Sequence, residues 1–463
     1  MSESAERSGS YGRGAAILSV GIGVTGLVTY AYFSLASHSL SDDDYGGITL
    51  LWSAVFVVVS ILYRPVEQLL SRTIAERDER GQPGSSHLRV AATIQLALGA
   101  VFALAALVLR GPIEDDLFEG SSTLYWVLIA AVLGYAASYF ARGFLAGNRR
   151  FGLYGGLVFM EAISRVMFAV AVTVGIADGQ SAVALGIVAA PLFSLTVVPW
   201  ALGRRLRAGA GGGSDDAGGA GGDEDFGPPG PSGEAAEPAE AEFTLAHGAG
   251  FAAAVLTIML AEQTFLNAGP LLVKATEGER GAALAGFAFN VLLIARAPLQ
   301  LFQAVQTSIL PHLTKLSTSG QDDPFRRSVT VTLRAIAAFA AVVAVVMVAA
   351  GPAVMELFFG ESDEYDRGGL TLVAVGMGLY LAAATLNQAA LARARTRQAA
   401  VCWVSSAAAF VAMLLLPGFD SPVLQLEIAY VAGALLLCAL LYGLYRRPAP
   451  ASRPPGPASR PPA

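Results

Sequence analysis

The amino-acid sequence predicts an all-α polytopic membrane protein with about twelve transmembrane helices. Three observations support this prediction. Hydrophobic residues make up 54% of the 463-residue chain and charged residues only 14%, against roughly 25% charged residues in a typical soluble domain. Apolar stretches long enough to span a bilayer recur along the chain. The loops between these stretches alternate in charge, as they do in multi-spanning proteins.

The apolar stretches place the helices in two sets of six. The first stretch is too long for the apolar region of a signal peptide and has no small-residue cleavage site after it, so we expect it to be the first membrane helix. The first set of helices is predicted at 14–37, 47–70, 89–109, 123–145, 154–176 and 181–203. The second set is predicted at 247–272, 282–310, 329–350, 368–392, 399–416 and 425–445.

The loop charges predict the orientation. One series of loops is basic and includes Arg72, Arg77, Arg80, Arg89, Arg149, Arg150, Arg204, Arg205, Arg207, Lys315, Arg326, Arg327, Arg393, Arg395, Arg397, Arg446 and Arg447. The alternate series is acidic or neutral, apart from Arg110, Lys274, Arg280 and Arg367. The positive-inside rule places the basic loops and both termini in the cytoplasm, with the protein in the cytoplasmic (plasma) membrane.

Composition divides the chain into five parts. We expect a cytoplasmic N-terminus at 1–13, an N-terminal lobe at 14–207, a linker at 208–243, a C-terminal lobe at 244–447 and a tail at 448–463. The linker is rich in Gly, Ala, Asp, Glu and Pro, and the tail is rich in Pro, Ser and Arg, so neither can bury a core. Both are expected to be disordered and cytoplasmic.

The two lobes resemble each other in sequence. The segment around Arg64 and Pro65 in the second helix matches the segment around Arg296 and Pro298 in the eighth. An even number of helices per lobe makes such repeats parallel, related by an axis along the membrane normal, with a central cavity between them. Chance similarity between Ala/Leu-rich helices is the competing explanation.

Polar residues at membrane depth are the candidate cavity residues, because burying charge in lipid costs several kcal/mol unless it faces a cavity or a partner. Glu161 and Arg165 have the i, i+4 spacing of a self-neutralising pair, and Arg64 with Glu67 is similar. Arg296 has no charged neighbour along its own helix, so it requires a partner on another helix or an anionic substrate. The candidate residues are Arg296, Arg64, Glu262, Gln263, Asn267, Gln300, Gln303, Glu161, Arg165 and Asn387.

No metal, cofactor or catalytic motif is expected. The four histidines are scattered near helix ends, and the two cysteines lie in apolar runs; neither set has the spacing of a metal site. No nucleophile motif or phosphate loop is present.

Three segments resemble a known family. Residues 30–36 (YAYFSLA), 40–52 (LSDDDYGGITLLW) and 302–315 (FQAVQTSILPHLTK) are similar to polysaccharide-biosynthesis flippases of the multidrug/oligosaccharidyl-lipid/polysaccharide (MOP) exporter superfamily. The resemblance implies a MATE/MOP-like fold and a Wzx-type flippase for a polyprenyl-pyrophosphate-linked oligosaccharide, coupled to a proton or sodium gradient. It also implies membrane lipids and polysaccharide-assembly proteins as partners, and no nucleic acid.

Other functions stay open. A multidrug cation antiporter of the same superfamily would use buried acids, which Glu262 fits and Arg296 does not. A membrane enzyme of polysaccharide assembly, such as a polymerase or ligase, resembles this chain less, because every predicted outer loop is short. A membrane scaffold would not need polar residues at membrane depth.

Overall fold

The protein consists of helices and short connections. The computed structural model describes residues 21, 23–79, 86–197, 245–278, 281–318, 322–360, 365–419 and 421–447, and these contain no β-strand. The predicted terminal segment 1–13, the linker 208–243 and the tail 448–463 lie outside the described residues.

Thirteen α-helices are labelled here in chain order. The helices of the N-terminal lobe are α1 (23–39), α2 (Asp42–Leu62), α3 (Arg64–Glu79), α4 (Ser86–Val108), α5 (Ser122–Gly147), α6 (Phe151–Thr173) and α7 (Gly179–Ser194). The helices of the C-terminal lobe are α8 (Leu245–Glu277), α9 (Gly281–Thr318), α10 (Asp322–Phe359), α11 (Arg367–Ala392), α12 (Thr396–Leu414) and α13 (Pro422–Arg446).

The predicted fold class is confirmed. Within the described ranges, nine helical segments are long and apolar enough to cross a membrane, and α7 and the first part of α9 are shorter apolar helices. The predicted second helix, 47–70, is interrupted at Tyr63, where α2 ends and α3 begins. Pro65 follows this break, and a proline has no N–H to donate to the preceding turn. The predicted helix 329–350 is longer in the structure and spans Asp322–Phe359.

Short polar caps begin several helices. The side chains of Ser41, Ser121 and Ser421 each accept a hydrogen bond from a backbone N–H of the first turn, and Asp366 does the same for α11. Such caps satisfy N–H groups that have no partner within the helix. They place the starts of α2, α5, α11 and α13 at defined positions.

The two lobes pack their helices in the same order. In the N-terminal lobe, α5 contacts α3, α4 and α7, and α6 contacts α7. In the C-terminal lobe, α11 contacts α9, α10 and α13 in the same way, and α12 contacts α13. When α2 and α3 are counted as one interrupted helix, the first and fifth helices also meet in each lobe. These are α1 and α6, joined by the Ser39–Thr173 hydrogen bond, and α8 and α12. This correspondence is what a repeat of one helical unit produces.

The lobes meet where α2 packs against α8 and α9. This contact lies at the acidic-loop end, defined as the end that carries residues 40–41, 109–121, 174–178, 360 and 365–366. The opposite, basic-loop end carries the connections 148–150 and 393–395. At the acidic-loop end the Tyr45 hydroxyl donates to Asn290, and Lys274 pairs with Glu119. Each of these contacts joins one lobe to the other.

Two glycines bring α2 and α9 together at that end. A Cβ atom on Gly46 would lie 1.9 Å from the backbone oxygen of Ala282, and one on Gly286 would lie 3.1 Å from the Cα of Gly46. Small residues let membrane helices approach until their backbones touch. The lobes are therefore closed tightly against each other at the acidic-loop end.

Candidate functional site

A cavity of about 290 Å³ lies between the lobes and extends from the middle of the helices toward the basic-loop end. Helices α1, α2, α3, α5 and α6 line it on one side, and α8 and α9 line it on the other. Its charged lining residues are Arg64, Arg142, Arg165, Arg296, Glu67 and Glu161. Four arginines against two glutamates give the lining an excess of positive charge, which remains when Glu262 at its edge is included.

Glu161 is neutralised by a residue other than the predicted one. Its carboxylate accepts from the guanidinium of Arg142 and from the hydroxyl of Ser138, both on α5. Glu161 is only 2% exposed and Arg142 only 12%, and pairing the two offsets the cost of burying either charge alone at membrane depth. The expected pairing of Glu161 with Arg165 is therefore wrong.

Arg165 instead makes contacts without a carboxylate. Its guanidinium donates to the Tyr135 hydroxyl at 2.7 Å and lies 4.9 Å from the ring centroid of Trp52. Its Nε is buried without a hydrogen-bond partner. Neither contact carries a negative charge, and among the described residues no carboxylate pairs with Arg165, which lines the cavity.

Arg296 has the same character in the other lobe. Its guanidinium donates to the backbone oxygen of Leu266 and to Asn267 Oδ1, the second at 3.0 Å, and stacks 4.4 Å from the ring centroid of Phe289. Asn267 in turn donates to Gln263 at 2.9 Å. No carboxylate pairs with Arg296 among the residues that the structure describes. A partner on another helix is present, as expected, but it is an amide and a backbone oxygen rather than an acid.

Arg64 and Glu67 are not paired with each other in the expected way. Arg64 lies 4.0 Å from Glu262 across the lobe boundary. Glu67 accepts a hydrogen bond from the Tyr154 hydroxyl at 2.9 Å. Arg64 is therefore an arginine with a carboxylate close to it, in contrast to Arg165 and Arg296.

The remaining predicted residues lie elsewhere. Asn387 is buried between α11 and α12, where it accepts from the indole N–H of Trp403 at 3.1 Å, and it is not among the cavity lining. The side chains of Gln300 and Gln303 lie outside the described residues. Within the described part of the chain, no three His, Cys, Asp or Glu side chains converge as a metal site would require.

Sequence reasoning missed Arg142 and the aromatic residues of the cavity. Arg142 is the one charged residue of the apolar helix α5, which is a usable signal, but its partner lies 19 residues away on α6. The aromatic residues form a cluster across the lobe boundary: Phe33 lies 4.9 Å from Trp52 and 4.5 Å from Phe289 between ring centroids. Ordinary core aromatics have the same sequence pattern, so only the structure identifies them.

A second, smaller cavity of about 40 Å³ lies beyond Arg296. Its lining consists of Gly26, Thr29, Tyr30, Phe33, Trp52, Leu293 and Arg296. Arg296 and Trp52 line both cavities, so the aromatic cluster separates the main cavity from the closed acidic-loop end.

Solved structures share this fold. A mutant form of the MATE transporter VcmN of Vibrio cholerae superposes with a TM-score of 0.59 at 14% identity, over 94% of this chain and 97% of that one. A multidrug resistance MATE family transporter of the MOP superfamily in an inward-facing conformation gives 0.61 at 14% identity, over 93% and 97%. The MATE transporter ClbM in complex with Rb⁺ gives 0.58 at 14% identity, over 95% and 94%. No protein-family model and no curated protein matches the sequence.

Proposed function

We propose that the protein is an exporter of the MOP type that moves a lipid-linked oligosaccharide, held by a polyprenyl-pyrophosphate group, across the cytoplasmic membrane. The observation that carries this proposal is a pair of arginines, Arg165 and Arg296, which line one cavity from opposite lobes and have no carboxylate partner in the part of the chain that the structure describes. An unneutralised positive charge at membrane depth is expensive unless an anion joins it. The MATE folds of the structural neighbours support a transporter rather than an enzyme.

Arginine suits a pyrophosphate chemically. Its planar guanidinium donates two parallel hydrogen bonds to phosphate oxygens and stays charged at any physiological pH. The cavity of about 290 Å³ is at the lower end of the range of small-ligand sites, about 300–1,000 Å³. It is therefore matched to the charged head group, while the polyprenyl chain stays in the bilayer.

The cavity is positioned for alternating access. The lobes are closed against each other at the acidic-loop end, and the cavity extends toward the basic-loop end. The positive-inside rule assigns the basic-loop end to the cytoplasm, so this arrangement would take up its substrate from the inner leaflet.

The second candidate is a multidrug cation antiporter. Two observations favour it: one structural neighbour is named a multidrug resistance transporter, and Glu262 lies at the edge of the cavity. The neighbour that binds Rb⁺ supports coupling to a cation in either case. The charge of the lining separates the two candidates, because a net positive cavity repels an organic cation and attracts a phosphate.

A flipping assay tests the proposal. Membrane vesicles containing the protein are loaded with a labelled polyprenyl-pyrophosphate oligosaccharide, and its arrival in the opposite leaflet is followed with a membrane-impermeant reagent. We expect Arg296→Ala and Arg165→Ala each to lower the rate about tenfold or more, since a hydrogen bond to a charged group contributes roughly 1.5–3 kcal/mol. Arg296→Lys, which keeps the charge but loses the planar fork, should retain part of the rate.

Arg110→Ala is the matched control, because Arg110 is exposed at the acidic-loop end and pairs with Glu114 at 2.6 Å. It should flip substrate at the wild-type rate. Thermal unfolding of each purified variant shows whether it has folded. Unchanged flipping in folded Arg165→Ala and Arg296→Ala would contradict the proposal, and extrusion of an organic cation by the wild type without flipping would select the antiporter.

A further inference from the structure

The C-terminal lobe contains a buried acid far from the cavity lining. Glu427 lies in the second turn of α13, at the acidic-loop end, and is 4% exposed. Among the described residues no group donates a hydrogen bond to its carboxylate or pairs with it. Burying an ionised carboxylate without a partner is costly, and the carboxyl group avoids this cost when it binds a proton.

A glycine on the neighbouring helix makes room for this carboxyl group. A Cβ atom on Gly369 of α11 would lie 1.9 Å from Glu427 Oε2. Any other residue at 369 would occupy the space that the carboxyl group fills. Glu427 is thus held against the first turn of α11 rather than pointing into solvent.

A second, exposed carboxylate lies at the same turn. Asp366 caps α11 by accepting from the backbone N–H of Gly369 at 3.1 Å. Glu427 and Asp366 therefore both approach Gly369, one from the interior and one from the surface. Asp366 therefore places a second negative charge on the side of α11 that faces Glu427, and a nearby like charge disfavours the ionised form of a carboxyl group.

The other charged groups around α13 are engaged or lie away from it. On α8, Lys274 pairs with Glu119 of the other lobe. On α11, Arg367 is exposed and forms no ion pair with Glu427. On α9, Arg296 lies deeper and faces the cavity, and on α12, Arg397 lies in the first turn at the opposite, basic-loop end. Asp366 is thus the charged group that faces Glu427 among the described residues.

We propose that Glu427 is a proton-binding site, supplied through Asp366 from the acidic-loop face, that makes transport depend on the pH at that face. Binding adds one proton to the Glu427 carboxylate and removes one negative charge from the contact between α11 and α13. This role rests on the proposed transport function, whereas the protonation itself does not.

The position of Glu427 connects it to the cavity. One turn further along α13, Tyr430 packs against Gly376 of α11 and its ring lies 6.5 Å from that of Tyr380. A change in the spacing of α11 and α13 at Glu427 therefore reaches the middle of the lobe. The α11 helix also packs on α9, which carries Arg296.

Infrared difference spectroscopy tests protonation without any substrate. The purified protein is titrated from mildly acidic to mildly basic pH, and the C=O stretch of a protonated, buried carboxylic acid is recorded. We expect this band in the wild type, its loss in Glu427→Gln and a shifted midpoint in Asp366→Asn. Glu114→Gln is the matched control and should keep the band, because Arg110 donates a hydrogen bond to Glu114 and lowers its pKa.

Glu427→Gln should also fold, since the amide is a neutral isostere of the protonated acid. In the flipping assay it should abolish most of the dependence on external pH while the substrate is still recognised. A titrating band of unchanged intensity in Glu427→Gln would overturn the proposal, as would a wild type without such a band. If the band is present in the wild type and lost in Glu427→Gln, but the wild type does not flip the substrate, the proposed transport function is contradicted and the protonation of Glu427 is not.

Discussion

At the scale of single residues, the cavity contains two kinds of arginine. Arg142 is bound to Glu161 and therefore belongs to the scaffold of the N-terminal lobe. Arg165 and Arg296 are held by a phenol, an amide, a backbone oxygen and aromatic faces, none of which cancels their charge. Neutral partners fix the direction of a guanidinium while leaving its charge available to an anion.

This division predicts different consequences for stability. Arg142→Met leaves the Glu161 carboxylate buried without its cation, and we expect a loss of roughly 3–5 kcal/mol in the free energy of unfolding. Replacing both residues, as in Arg142→Met with Glu161→Leu, should recover most of that loss, because well-packed apolar residues replace a buried ion pair at little cost. Unfolding in mixed micelles measures both values.

The pair of exposed Arg110 with Glu114 provides the control, and Arg110→Met should leave the unfolding free energy almost unchanged. A double variant that is as unstable as Arg142→Met alone would show that the ion pair is not the source of the effect.

At the scale of helices, the apolar runs and the loop charges predict the fold class, because length and hydrophobicity are local properties of the chain. Tertiary pairing is not local. Glu161 has a cation four residues away in Arg165, yet it binds Arg142, which lies on a different helix. A single sequence contains the i, i+4 spacing but not the rotation of α5 against α6, so the partner of Glu161 cannot be read from the sequence.

The close approach of α2 and α9 provides the test at this scale. We expect Gly46→Ala to weaken the closed state at the acidic-loop end, because the new methyl group would collide with the backbone of Ala282. Asn290→Cys, which lies beside this contact and is 3% exposed, should then react faster with a membrane-impermeant maleimide than it does in the unaltered background.

Gly156→Ala on α6 is the matched control, since nothing lies within 4 Å of its added Cβ. It should leave the labelling rate unchanged. The same change should stabilise the helix slightly, by about 0.5–1 kcal/mol, because alanine loses less backbone entropy than glycine. Equal labelling rates of Asn290→Cys in the Gly46→Ala and Gly156→Ala proteins would show that the close approach at Gly46 does not keep the acidic-loop end closed.

At the scale of the whole molecule, the lobes are two units joined along α2. The interlobe contacts at the acidic-loop end include a hydrogen bond from Tyr45 to Asn290, an ion pair between Lys274 and Glu119, and backbone packing at Gly46. All of these must break if the cavity is to open at that end. Hydropathy does not predict the contacts between the lobes, because each of these side-chain contacts joins residues more than 100 positions apart.

A reversible crosslink across the lobes tests this motion. In a background where Cys402 and Cys438 are replaced by Ser, we expect Glu119→Cys with Lys274→Cys to be joined by a short disulfide-forming crosslinker. The crosslinked protein should lose flipping, because the lobes cannot separate, and a reducing agent should restore it.

Arg110→Cys with Glu114→Cys lies at the same end but within one lobe, so its crosslink should leave flipping intact. Full activity of the crosslinked interlobe pair would rule out opening at the acidic-loop end as a step of transport.

The aromatic cluster at the lobe boundary has an optical consequence. Trp52 lies on α2 in contact with Phe33, which in turn touches Phe289 of the other lobe, and the Arg165 guanidinium lies close to the indole ring. Indole emission depends on nearby charge and on access of water to the ring. Trp52 is therefore an intrinsic fluorophore at the boundary between the lobes. Its emission wavelength and intensity should change when the lobes separate.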